Sequence, residues 1–227
     1  MALRHTDREY ENELGRLREQ VLFMGARVEE MIETAMRAFT ERNTELARET
    51  IDADRQIDQL ELDIDELCLK VLARRQPVAS DLRFITTTLK LVTDLERIGD
   101  LGVNICERVV ELGDEPSLPM NASVLRISQA AVGMLHDALD AFVAGDAVKA
   151  ELVMDRDKTV DAYYAQLFPE LVAHMMADPR VVYRATRLQS IGKYLERIAD
   201  HSTNLAEMVV FMVKGEDVRH AGPASGG

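Results

Sequence analysis

Tryptophan is missing from this sequence and aromatic residues make up only 5% of its 227 positions, so Leu, Val, Ile, Met and Ala must fill any interior. That palette favours helices over strands. Cysteine occurs twice, at Cys68 and Cys106, with no CxxC or Cys/His spacing, which excludes a zinc finger and predicts two reduced, buried thiols of a cytoplasmic protein. Long apolar runs are absent as well. The longest, "MVVFMV" at 208–213, is far short of the ~20 residues that cross a bilayer, and the first residues lack the apolar core of a secretory leader. Positive charge is in deficit, with 27 Lys and Arg against 40 Asp and Glu, for a formal charge of -13. Such a chain repels a phosphate backbone and attracts cations, so no nucleic-acid partner is expected.

What is present is helical periodicity, apolar residues three and four apart, interrupted by short breaks. Leu14, Leu17, Val21, Met24, Val28, Met31, Ile32, Ala35 and Phe39 line one side of a first helix over about 6–40. Asn43 caps a second helix, whose stripe is Ile57, Leu60, Ile64, Leu67 and Val71. "RRQPVASD" at 74–81 ends it, and a third helix follows to about Leu112. Two Pro and a Gly in "GDEPSLPMN", 113–121, mark a linker. Three more helices follow, broken at "AGD" (144–146) and "ADP" (177–179), where Asp146 and Asp178 are the expected caps. The predicted organisation is all-α: a first three-helix bundle over 6–112, the linker 113–121, a second bundle over 122–214, and a mobile tail over 215–227.

The two halves are copies. A shift of 103 superposes Met31, Ala35, Phe39, Asp54 and Asp58 on Met134, Ala138, Phe142, Asp157 and Asp161. A shift of 100 superposes "LERIGD" at 95–100 on "LERIAD" at 195–200, and Asn104 and Glu107 on Asn204 and Glu207. The result is six helices in two pseudo-symmetric bundles. On a helical wheel Glu96, Asp100, Asn104 and Glu107 share a stripe less than a quarter turn wide, opposite Phe84, Leu91, Leu95, Ile98, Gly102 and Val109. Carboxylates one turn apart stand roughly 5–6 Å from each other, close enough to share a cation and close enough to repel. Packed as neighbours, the second and third helices would join Asp54/Asp58 to Glu96/Asp100, and their copies Asp157/Asp161 to Glu196/Asp200. A single pair of this kind is ordinary solvated helix face, but four at matching places in a duplicated chain point to metal. Arg97 and Arg197 are expected to pair with carboxylates on a neighbouring helix, and His136, His174 and His201 to be satisfied or exposed. Gly99 and Gly102 are expected to permit close helix contact.

"DLERIGDLGVNICERV" at 94–109, "YLERIADHSTNLAEMV" at 194–209, "PVASDLRFI" at 77–85 and "FMVKGEDVRH" at 211–220 together resemble the PhoU family of phosphate-transport regulators. The resemblance runs over nearly the whole chain and implies two three-helix bundles whose E/DxxxD motifs bind metal. Carried over, the ligands are Asp54, Asp58, Glu96, Asp100, Asp157, Asp161, Glu196 and Asp200, and the metal is a divalent or trivalent ion such as iron, zinc, manganese or magnesium. The sequence departs from the pattern in two places: Ala199 stands where the first motif has Gly99, and the second bundle has no copy of "PVASDLR" and hence of Asp81. The resemblance further implies a non-enzymatic cytoplasmic adapter that forms a homodimer. It would link the ATPase subunit of the phosphate ABC transporter to a phosphate-sensing histidine kinase, holding the starvation response off and restraining uptake. Membrane contact would be only through partners. Two other readings remain. A carboxylate-bridged oxidase would need Glu-x-x-His, and no Glu stands three residues before any of the five His. A dimerising scaffold would carry its acids for solubility alone.

Overall fold

The structure is a computed structural model, and it describes residues 2–113, 115, 116, 118, 121–215 and 218, with side chains from residue 8 onward except that of 121. Among the described residues it contains seven α-helices, one 3₁₀ turn and no strand. The helices are α1 (Ala2–Glu41), α2 (Thr44–Ala53), α3 (Arg55–Arg74), α4 (Ala79–Glu111), α5 (Asn121–Ala144), α6 (Ala147–Ala177) and α7 (Val182–Lys214), with the turn at Pro179–Val181. They make six rods, because α2 and α3 are one rod interrupted at Asp54. Asp54 keeps helical dihedrals (φ -56°, ψ -36°) while the ladder tightens around it, with Asp54 N–H bonded to the Ile51 carbonyl at 3.3 Å and Ile57 N–H to the Asp54 carbonyl at 2.7 Å. Three-residue hydrogen bonds inside a helix mark strain or a functional position. The sequence reading expected an unbroken second helix; here it breaks at a candidate site residue.

The predicted caps are in place. Asn43 accepts from Leu46 N–H at 3.0 Å, Asp146 from Val148 and Lys149 N–H at 2.9 and 3.0 Å, and Asp178 from Arg180 N–H at 3.0 Å. Pro169 sits inside α6, where no break was expected. α1 packs on α2, α3 and α4, and α5 on α6 and α7. The predicted α1 stripe is buried from Leu17 to Phe39, with Leu14 packed at its edge. The bundles join through α4 against α7 and α1 against α5, and one apolar core runs through both. Gly25 serves that junction: a Cβ there would lie 2.7 Å from Leu139 Cδ2. Phe84 and Phe142 stack across it with centroids 6.0 Å apart.

α4 ends at Glu111 and α5 begins at Asn121. The chain between them is tied down by arginines from both bundles. Arg42, at a left-handed φ of 57°, donates to the carbonyls of Leu112 and Gly113 at 3.3 and 3.2 Å, and Arg184 donates to that of Pro116 at 2.8 Å. Gly215, at φ 74°, caps α7, and apart from it and Val218 the expected mobile tail lies outside the described residues.

Candidate functional site

α4 meets the α2–α3 rod at Gly99, which is buried. A Cβ on Gly99 would stand 3.3 Å from Ile57 Cδ1 and 3.4 Å from Asp54 Oδ1, so Ile57 and the Asp54 carboxylate lie close against α4. Ile57, buried, holds the start of α3 to the core, and Asp58 one turn from Asp54 points outward. The carboxylates so gathered feel one another. Partial burial pushes Asp54 up to about 6, helped by the charges of Asp58 and Asp100. Burial pushes Glu96 up to about 7, with Asp100, Glu61, Asp58 and Asp54 adding repulsion in that order. Asp100 is raised by burial and then by Asp58. The first patch is therefore five carboxylates, Asp54, Asp58, Glu61, Glu96 and Asp100, and among the described residues none of them is in an ion pair.

The second patch, between α6 and α7, gathers Asp157, Asp161, Glu196 and Asp200. Asp157 is raised by burial and by the charges of Asp161 and Glu196. Asp200 is raised by burial, Glu196 and Asp157, opposed by the Lys193 ammonium. Lys193 pairs with Glu196 and lies 5.6 Å from the centroid of the Tyr164 ring. Tyr164 is itself fixed. Its hydroxyl accepts from Gln189 at 2.6 Å, and its ring lies beside Gly192, where the close approach is that of Leu167, whose Cδ2 would stand 2.5 Å from an added Cβ. Of the fold's four predicted carboxylate pairs, each bundle thus brings two together.

These donors are hard oxygens, the chemistry of magnesium, manganese or calcium more than of softer ions. Among the described residues no three Asp, Glu, His or Cys side chains already form a ligand set for one ion. The arrangement fits an open site, in which one or two carboxylates hold an ion that keeps much of its water, and not a closed cage. Glu61 lay outside the predicted ligand set, and Lys193, Tyr164 and Thr203 escaped notice. Their signal was available in the same offsets that revealed the duplication, read for differences instead of identities: Glu61 falls on Tyr164, Thr93 on Lys193 and Val103 on Thr203.

Arg97 corrects an expectation. It approaches Asp94, three residues back on its own helix, at 3.8 Å, is 57% exposed, and among the described residues forms no ion pair with a neighbouring helix. His201 is satisfied as expected, with Nδ1 2.7 Å from Asp94 Oδ1 across the junction of the bundles. Asp81 accepts from the Tyr10 hydroxyl at 2.9 Å, an attachment of α1 to the start of α4. Both cysteines are buried and free, and burial pushes each thiol up to about 12.

The sequence pattern of the PhoU domain matches the chain twice, over residues 21–109 and 124–209. A "Phosphate-specific transport system accessory protein PhoU homolog" of Pseudomonas putida is 42% identical over 96% of this chain and 86% of its own length. The Escherichia coli K12 protein of that family name is 34% identical over 96% of this chain and 91% of its own. The crystal structure of PhoU from Pseudomonas aeruginosa superposes with a TM-score of 0.88 at 41% identity, covering 91% of this chain and all (100%) of the other. That of the phosphate transport system regulatory protein PhoU from Streptococcus pneumoniae gives 0.85 at 31% identity, covering 92% and 99%. With the doubled three-helix bundle and both sequence repeats in register, this chain belongs to the PhoU family.

Proposed function

We propose that this chain is an accessory protein of the phosphate-specific transport system. It acts as a cytoplasmic homodimeric adapter between the transporter ATPase subunit and a sensor histidine kinase, repressing the phosphate-starvation response and restraining uptake when phosphate is plentiful. The observation that carries this reading is the 42% identity, over 96% of the chain, to a relative named as an accessory protein of that system. No described helix is long and apolar enough to cross a membrane. The proposed chemistry is recognition and not turnover. Asp54, Asp58, Glu96 and Asp100 would hold a multivalent cation in the first bundle, and Asp157, Asp161, Glu196 and Asp200 in the second. When bound, the ion supplies positive charge that offsets carboxylate repulsion between neighbouring helices.

The test is genetic and biochemical together. In a deletion strain grown with abundant phosphate, a reporter for phosphate-scavenging genes is expected to stay on, and the tagged protein is expected to retain the transporter ATPase and the kinase in pull-downs. Normal repression in the deletion strain overturns the reading.

A further inference from the structure

At the junction of the bundles α1 and α5 run antiparallel, in contact where Gly25 meets Leu139 and where the Glu29 carboxylate lies 3.0 Å from His136 Nδ1. Past His136 they leave a groove of about 860 Å³ that reaches Glu41 on α1 and Leu125 on α5. Its lining repeats with the spacing of a helix seam: positions 29, 33, 36 and 40 on α1 and 125, 129, 132 and 136 on α5 are each four, three and four residues apart. Two helices that turn such seams toward one opening leave the place of a third helix between them. The walls are unlike. α1 brings Glu29, Glu33 and Glu41 against the single base Arg37, whereas α5 brings the partly buried Leu125 and Val132, and Met36 lies at the floor, 6% exposed. We infer that this groove is the docking site for a basic amphipathic helix of a partner protein, whose apolar stripe lies along α5 and Met36 and whose Lys or Arg residues face the α1 carboxylates. The inference rests on the adapter reading above and gives it one surface by which a partner is held.

The acids of this wall do not serve the helix that carries them. Glu41 stands in the last turn of α1, where the helix dipole disfavours a carboxylate, and Glu29 and Glu33 are like charges one turn apart. Glu33 and Glu41 are both exposed, and among the described residues neither is in an ion pair, so their charge is open to a partner. The length fits a helix as well. From Glu29 to Glu41 α1 rises about 18 Å, a little over three turns, enough to receive anchors at i, i+4 and i+7 of a docked helix. Covering the still exposed parts of Leu125 and Val132 supplies affinity, and the carboxylates select a basic flank and steer its approach. A second copy of this chain is the wrong occupant on charge. It carries -13, and a two-fold contact of groove on groove would set the same carboxylates against each other.

The experiment puts a photo-cross-linking benzoylphenylalanine in place of Gln129, exposed on the α5 wall of the full chain, and identifies the segment captured in cells by mass spectrometry. The expected capture is one segment of a second protein, with apolar residues at helical spacing and Lys or Arg on one flank, and it should be absent when the cross-linker is moved to the exposed Glu66 on α3. A fluorescent synthetic peptide of that segment should then bind the purified parent and gain helix content on binding. Combining Glu33→Lys with Glu41→Lys should raise its Kd about tenfold while the variant melts as the parent does, since both positions are exposed and unpaired. Val132→Lys, which charges the apolar wall, should weaken the same peptide. Capture of this same chain, of an acidic segment or of nothing at Gln129 overturns the docking site, and so does equal peptide affinity for the parent and the folded double variant. A basic helix captured from a protein that is neither the transporter ATPase nor the kinase, and bound as expected, supports the docking site and counts against the adapter reading, so the two fail separately.

Discussion

Glu96 shows how one side chain can work against the fold that holds it. Its carboxyl is pushed up to about 7 by burial and four neighbouring acids, whereas in an unfolded chain a Glu titrates near 4.3. Between those values the folded state binds more protons than the unfolded state, so Glu96 stabilises the fold fully at acid pH and loses that contribution as pH rises toward 7. Asp54, pushed up to about 6, works in the same direction. Without multivalent cation, Glu96→Gln is therefore expected to melt at a higher temperature than the parent at pH 8, with the advantage shrinking to nothing near pH 4.5. Thermal unfolding followed by circular dichroism checks it, and a constant difference across that range would contradict the shared charge. The double variant Asp100→Asn with Asp200→Asn tests the candidate ligands directly: it should carry less metal than the parent, and it should lose the thermal stabilisation the parent gains from metal. Retained metal loading, or an unchanged gain in melting temperature, would leave the repeated "LER-I-x-D" to packing alone. At this scale the eight carboxylates were legible because four-residue spacing and duplication reinforce each other. Lys193 and Tyr164 were not, because a search for identities discards the positions where the copies diverge.

Helix boundaries were legible wherever side-chain chemistry marks them. Asn43, Asp146 and Asp178 each satisfy backbone N–H groups that the first helical turn leaves unbonded. Asp146 is the clearest case because its carboxylate accepts two of them at the start of α6. Asp146→Ala should cost about 1 kcal/mol, and Asp146→Gly only a few tenths, as read from the midpoint of urea unfolding. Lys149 should not confuse the measurement, since it pairs with Asp137 and Asp140 on α5. The break at Asp54 had no such mark. Neither Gly nor Pro stands in "ETIDADRQID", and the break lies where this rod approaches α4 at Gly99, a position that is Ala199 in the second copy, whose α6 is unbroken. Such a feature belongs to the contact between two elements, and a periodicity read along one of them cannot carry it.

The two bundles are joined as one molecule by a core that no boundary interrupts, and this governs how the protein should unfold. Excising either bundle would expose the faces of α1 and α4, or of α5 and α7, that now cover each other. The sequence showed a duplication and a linker but could not show this face, because apolar residues that serve the bundle and those that serve the junction look alike on a helical wheel. Within the junction, Asp94 and His201 form a polar link between α4 and α7, with side chains only 9% and 12% exposed. Their counterparts in the other copy are Tyr194 and Leu101, so the link exists once and breaks the pseudo-symmetry. Replacing Asp94 with Ala leaves His201 short of its partner in a place water reaches poorly, at an expected cost of about 1–3 kcal/mol. Because both bundles share the core, that loss should move a single urea transition as a whole, with helix content by circular dichroism and tyrosine fluorescence shifting together. If two transitions separated, the junction would be a contact between independent units, and cation binding in one bundle would have no route through the core to the other.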